Sequence, residues 1–283
     1  MIDATAEDIR EMRTHSSSVI ARKAAEALYS VTELDVITAE EFIQAVERNS
    51  RILRQANPSH AWLQSSQRSI VNELKDSSPE TPEEARRALT DIVTETVESI
   101  TSATDEAGAH AAELLNTNDT ILTHDYSSTV LAALRKRAEQ GDSFSVIVTE
   151  ARPRLIGRRM ARALGTIEGI DVTLIVDNAA GLFLKECDRV IVGMDCIVND
   201  VLYNRVGTFP ITSLAAVHGV GVTVTGAAAK IVDDAFVFEN EHRDPVEVML
   251  EPSPEFSIAN PPYDATPIDL IDTIATDEGI HHV

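Results

Sequence analysis

Two hydrophobic rhythms divide this chain. Up to residue 116 the apolar positions recur at the three- and four-residue spacing of a helix face, and beyond it they gather into short runs between helical stretches. Ile9, Met12, Val19, Ile20, Ala24 and Leu28 form a first stripe, with Thr14-His15-Ser16-Ser17-Ser18 as its point of interruption. A second helix opens at Thr38, where Glu41 completes a capping box and Phe42, Ile43, Val46 and Leu53 share a face. A third begins at Pro58-Ser59 and carries Trp62, Leu63, Ile70, Val71 and Leu74. Thr81 and Pro82, with Glu84 three residues after the cap, mark the start of a fourth that carries Leu89, Ile92, Val93 and Ile100. Residues 1–116 are therefore expected to form a helical N-terminal domain.

The later runs are Ile121-Leu122, Phe144 to Val148, Val172 to Val176, Val190 to Val192 and Val220 to Val224. They are rich in β-branched residues and lack polar alternation, the pattern of strands buried on both faces of a parallel sheet. Helical stretches at about Ser128 to Glu139, Leu155 to Leu164 and Thr208 to His218 alternate with them. That order predicts an α/β fold, a Rossmann-like doubly wound parallel sheet over residues 117–283. Past Phe236 the prolines 245, 252, 254, 261 and 262 break the pattern into a tail, with one short helix expected near Pro267 to Ala275.

In such a sheet, ligands bind beyond the carboxyl ends of the strands. The residues waiting there are His124-Asp125-Tyr126-Ser127-Ser128, Thr149-Glu150-Ala151-Arg152, Asp177-Asn178, Asp195 and Gly226 to Lys230. Arg152 offers a planar fork for an anion and Lys230 a second cation. Asn204-Arg205-Val206-Gly207-Thr208 precedes a helix, so Gly207 and Thr208 are expected to present free N–H groups to a phosphate. Each residue also has a plainer use: Ser127 and Ser128 as helix caps, Arg152 in a structural ion pair, Asp177 and Asp195 at turns, and His124 in the core. Gly219, Gly221 and Gly226 do not match a dinucleotide fingerprint, and no cofactor or metal site is expected.

Charge narrows the classes of partner. The net charge is −22, and 19 of the 24 basic residues are arginine. An acidic, lysine-poor surface fits a halophilic protein, because concentrated salt screens self-repulsion. It argues against direct nucleic-acid binding. Two cysteines, Cys187 and Cys196, make neither a disulfide framework nor a zinc set and suit a reducing compartment. With no secretory segment and no apolar run of membrane-spanning length, a cytoplasmic protein is expected.

The segments Ile121 to His124, Thr149 to Pro153 with Gly157-Arg158-Arg159, Val172 to Asn178, Val192 to Asp195, Asn204 to Thr208 and Asn260 to Pro267 resemble one family. It is that of the α, β and δ regulatory subunits of translation initiation factor 2B, with its relatives ribose-1,5-bisphosphate isomerase and methylthioribose-1-phosphate isomerase. In the isomerase branch the resemblance implies a cysteine and an aspartate that convert an aldose 1-phosphate to a ketose. The aspartate matches Asp195, whereas Asp125 stands where the cysteine is expected. The isomerases' Arg-Gly-Ala phosphate turn is replaced by Arg13-Thr14-His15, which keeps Arg13 as a ligand contact but loses the glycine. These departures place first a regulatory, initiation factor 2B subunit-like protein, forming a homodimer or larger homo-oligomer and engaging initiation factor 2. Its pocket, with Arg152, Asn204, Arg205, Gly207, Thr208 and Lys230, is expected to take a sugar phosphate or nucleoside monophosphate. The alternative is an aldose–ketose isomerase with Asp195 and Asp125 as acid and base.

Overall fold

The computed structural model describes residues 1–11, 16–232 and 236–283. The chain forms two compact units, Met1–Ser102 and Ala103–Val283. The division falls inside a long helix, whereas the change in hydrophobic rhythm placed the boundary after residue 116.

In the first unit lie α1 (Ile2–Arg10), α2 (Ser17–Ala27), α3 (Ala39–Gln55), α4 (Ala61–Asp76) and the first part of α5 (Pro82–Glu113). Of the expected interruption, Thr14 and His15 lie outside the described residues, as do Met12 and Arg13, and Ser17 and Ser18 open α2. The Thr38 capping box forms as its sequence requires: the hydroxyl accepts from the Glu41 N–H while the Glu41 carboxylate accepts from the Thr38 N–H. At α5 the Thr81 hydroxyl likewise accepts from the Glu84 N–H. The third helix starts later than Pro58-Ser59, because the His60 side chain is the group that accepts from the Leu63 N–H. Phe42, Leu28, Leu53, Leu63, Ile70, Leu74 and Leu89 are fully buried between these helices.

The second unit is built on a seven-stranded sheet. Its strands are β1 (Thr120–Thr123), β2 (Phe144–Thr149), β3 (Ile170–Ile175), β4 (Arg189–Gly193), β7 (Gly221–Thr225), β9 (Thr273–Thr276) and β10 (Gly279–His282). They lie in the order β10-β9-β7-β4-β1-β2-β3, parallel except for β10. The intervening helices α6 (Ser128–Glu139), α7 (Gly157–Leu164), the single turn α8 (Ala180–Phe183) and α9 (Thr208–His218) complete the doubly wound arrangement. The chain runs outward from β1 through β2 to β3, then returns to β4 on the other side of β1. The topological switch point thus lies between β1 and β4, where a ligand crevice opens in such sheets. A smaller three-stranded antiparallel sheet, in the order β5-β6-β8, is built from β5 (Cys196–Val198), β6 (Val201–Arg205) and β8 (Tyr263–Pro267).

Two expectations are corrected. Val172 to Val176 is not buried on both faces: β3 is an edge strand, with Leu174 and Val176 exposed. The short helix expected over Pro267 to Ala275 is instead the end of β8, a single 3-10 turn at Ile268–Leu270, and β9. There the open edge of β7 takes Thr273 to Ala275 as a parallel partner, and that non-local pairing overrides a weak local pattern. Among the described residues, no helix is long and apolar enough to cross a membrane.

Gly157 shows how tightly the β2 end is packed. A Cβ built there would overlap the Thr149 carbonyl oxygen, and that oxygen belongs to backbone that cannot swing aside. Gly157→Ala is expected to lower stability by about 3 kcal/mol or more, read as a shift of the urea midpoint at unchanged slope. A loss below about 1 kcal/mol would contradict this packing.

Candidate active site

Asp125 follows β1 and Asp195 follows β4, so the two carboxylates stand at the strand ends that flank the switch point. Between them comes Arg205, the last residue of β6. Its Nε donates to Asp125 Oδ2 at 3.0 Å, with both side chains about one-tenth exposed. The guanidinium carbon also lies 5.0 Å from the centre of the Tyr263 ring, a cation–π distance. Burial alone would lower the pKa of Arg205, but Asp125, Tyr263 and Asp195 outweigh it and raise it. This arginine stays charged.

The two carboxylates differ in setting. Asp125 is buried with φ near +66°, a left-handed conformation that an aspartate tolerates better than most side chains. Its second oxygen, Oδ1, is buried without a hydrogen-bond partner among the described residues. Asp195 is partly buried. Desolvation raises its pKa, with Asp125 adding to the rise while Arg205 and Lys230 oppose it. Lys230, beyond β7, sends its Nζ to the Met194 carbonyl at 2.9 Å. Burial pushes its pKa down to about 8 against the upward pull of Asp195 and Cys196.

The helix start at Gly207 is already occupied, which corrects the expectation of free N–H groups. Asp264 Oδ2 accepts from the N–H of Gly207 at 2.7 Å and of Phe209 at 3.0 Å, so the positive end of α9 is met by the chain's own carboxylate. Gly207 is needed for its backbone: φ is +112°, and a Cβ would lie 2.7 Å from the His124 ring. That ring donates from Nε2 to the Val206 carbonyl at 2.9 Å and places Nδ1 2.6 Å from the Thr149 hydroxyl. Thr208 also points inward. Its hydroxyl donates to the Arg205 carbonyl at 2.7 Å and accepts from Asn204 Nδ2 at 3.0 Å.

Of the residues expected at the site, Asp125, Asp195, Arg205 and Lys230 converge through these contacts. Ser127 caps α6 by accepting from the Val130 N–H at 3.3 Å, and its hydroxyl sits where a Cβ on Gly193 would collide with it. Ser128 is the first residue of that helix. Arg152 is exposed and donates to the Val248 carbonyl at 3.2 Å. Asp177 accepts the N–H groups of Ala151 and Arg152, both at 2.7 Å, and so holds the β2 loop. Arg13 lies outside the described residues.

Several participants were missed. Tyr263 and Asp264 come from β8. The excursion before it brings Glu247 within 3.8 Å of Arg154 and 3.6 Å of Arg243. Burial lowers the pKa of Arg154; Glu247 opposes this, while Arg243 and Arg205 reinforce it, which marks these cations as neighbours. Phe238 stacks on Tyr203 at 4.1 Å and meets Tyr263 edge-on at 5.3 Å, pinning the excursion to the small sheet. Asn260-Pro261-Pro262-Tyr263-Asp264 was the available signal. Among the described residues, no group of three His, Cys, Asp or Glu is placed to hold a metal ion.

Two carboxylates and two buried cations at the switch point of a doubly wound sheet define an α/β protein. The chain belongs to the initiation factor 2 subunit family, whose family model matches residues 13–282. The ribose 1,5-bisphosphate isomerase of Haloferax volcanii is 32% identical, over 97% of this chain and 87% of that protein. Among solved structures, the 5-methylthioribose 1-phosphate isomerase of Pyrococcus horikoshii aligns with a TM-score of 0.84 at 26% identity, over 99% of this chain and 84% of that one. A translation initiation factor eIF-2B of the same organism aligns with a TM-score of 0.83 at 27% identity, over 99% and 96%.

Two outcomes follow from the charges. Asp125→Ala strands Arg205 with Asp195 as its remaining carboxylate, and is expected to cost about 3 kcal/mol or more in urea unfolding. Lys230 has a folded pKa of about 8 against 10.5 for an ordinary lysine. Between these values the unfolded state binds more protons, so this group makes stability rise with pH from about 8 to 10.5. Over the same interval the site loses a positive charge. A Lys230→Met variant should lose this rise in stability, read as the pH dependence of the urea midpoint.

Proposed function

We propose that the α/β unit is an aldose–ketose isomerase acting on a phosphorylated sugar of the ribose 1,5-bisphosphate class. The observation that carries this reading is the pair Asp125 and Asp195 at adjacent strand ends, held in different electrostatic settings around Arg205. Relatives matched over nearly the whole chain and named for ribose 1,5-bisphosphate isomerase support it over the regulatory reading.

The reaction needs a proton delivered to the ring oxygen to open the sugar, then transfer of hydrogen from C2 to C1. Asp195, whose proton is retained to higher pH by burial, suits the donor. Asp125, ion-paired with Arg205, suits the base that takes the 2-hydroxyl proton as the C2 carbonyl forms, which balances the proton given to the ring oxygen. Arg205 and Lys230 supply positive charge where a sugar oxygen becomes negative. The step exchanges hydrogen within one molecule, so it consumes no oxidant. Asp125 replaces the thiol that the family resemblance leads one to expect.

A binding-only, regulatory role has one observation in its favour: Arg205 already occupies one oxygen of Asp125. Product analysis with ribose 1,5-bisphosphate in molar potassium chloride separates the two. The isomerase reading expects ribulose 1,5-bisphosphate, a loss of about 10²–10⁴-fold in kcat for Asp195→Asn, and retained turnover in Asp125→Cys. No conversion by either the parent chain or Asp125→Cys would sink it, and recovery of initiation factor 2 with the protein from native extract would then support the regulatory role.

A further inference from the structure

The turn between α3 and α4 in the N-terminal unit bounds a cavity of about 260 Å³, lined by Arg51, Arg54, Gln55, Pro58 and Gln64. Gln64 fixes the turn, since its Nε2 donates to the carbonyls of Arg54 at 2.8 Å and Asn57 at 3.2 Å. In a chain of net charge −22, the charge here is of the opposite sign. Arg51 and Arg68 are each close enough to repel Arg54: burial first, then Arg68 and Arg51, lower the pKa of Arg54, and Glu47 opposes them. Glu47 is shared, lying 3.9 Å from Arg51 and 3.2 Å from Lys75. Three cations, Arg51, Arg54 and Lys75, thus share one carboxylate.

Arg54 shows what is missing. Its Nε is buried and has no hydrogen-bond partner among the described residues. Buried donors in native proteins are nearly always satisfied, and an exception asks for an explanation. The repulsion that Arg51 and Arg68 exert on Arg54 is relieved by an anion, and a neutral ligand would leave it in place. We propose that this cavity binds the phosphate group of a phosphorylated small molecule. A phosphate offers several acceptor oxygens and up to two negative charges, matching forks on more than one arginine at once, whereas a carboxylate offers two oxygens and one charge. The site is composed of residues of the first unit and does not rest on the isomerase reading.

The test is a titration of the full-length chain with inorganic phosphate against chloride at equal ionic strength, in the lowest salt that keeps it folded. Binding is read by calorimetry and by the emission of Trp62, the chain's single tryptophan, in the first turn of α4. A saturable event is expected whose affinity falls about tenfold or more in Arg54→Gln, the loss of one charge-assisted hydrogen bond. The Arg51→Gln/Arg68→Gln double variant should weaken it similarly, and it carries the test if Arg54→Gln does not fold. Without phosphate, the variants should unfold at the same or a higher temperature, because repulsion is reduced. Identical responses to phosphate and chloride would overturn the proposal. So would undiminished binding in the variants, or an event abolished in Lys230→Met, which would belong to the α/β unit.

Discussion

Arg205 is the constraint around which the α/β unit is arranged. A guanidinium cannot be taken out of water without carboxylates to meet it, and removing one partner of a buried pair costs more than the pair contributes. Here Asp125 is delivered by the end of β1, Asp195 by the end of β4 and the Tyr263 ring by β8. These elements are far apart in the chain. Their charges are satisfied only when the large sheet, the small sheet and the switch point between β1 and β4 are all in place. The same electrostatics divides the two carboxylates into one held by an ion pair and one whose proton is retained to higher pH.

A second set of contacts keeps that cluster still without adding charge to it. Asp264 closes the N-terminus of α9, Gly207 allows the chain to turn against His124, and His124 ties the β1 end to Thr149 on β2 and to Val206 after β6. Thr208 and Asn204 bond to each other and back to the Arg205 carbonyl. Arg205 therefore has its backbone fixed from one side and its guanidinium from the other. Such double restraint is what a site needs when its polar groups must keep their geometry while a ligand enters.

The helices and parallel strands were legible because their signals are local. A capping box at Thr38 or a β-branched run at Val190 is read within a few residues, and α6 and α9 span the residues their patterns outlined. The small sheet was not read, although its turn carried a sign. Asn199 and Asp200 both adopt positive φ, with Val198 paired to Val201 across them, and Asn and Asp are residues that accept that geometry in tight hairpins. Placing Asp125 and Asp195 at strand ends gave the two carboxylates, since strand ends follow from the same local runs. Asp264 at the start of α9 could not be found that way. It bonds to Phe209 across 55 residues, and the proline-containing segment 236–262 that leads into it is held to the small sheet by Phe238 packing on Tyr203 and Tyr263.

Because β8 supplies both the ring facing Arg205 and the carboxylate that caps α9, the order of synthesis matters to this unit. A growing chain that has reached β7 carries a helix with an unmet N-terminus and an arginine facing Asp125 without its aromatic neighbour. The open edge of β7 waits for β9 as well. Domains of this kind complete their packing only after late segments emerge, and before then exposed strand edges invite wrong pairing. For this protein the vulnerable interval lasts until the residues of β8 and β9 have left the ribosome, so slow passage through the proline-containing stretch ahead of them would prolong it.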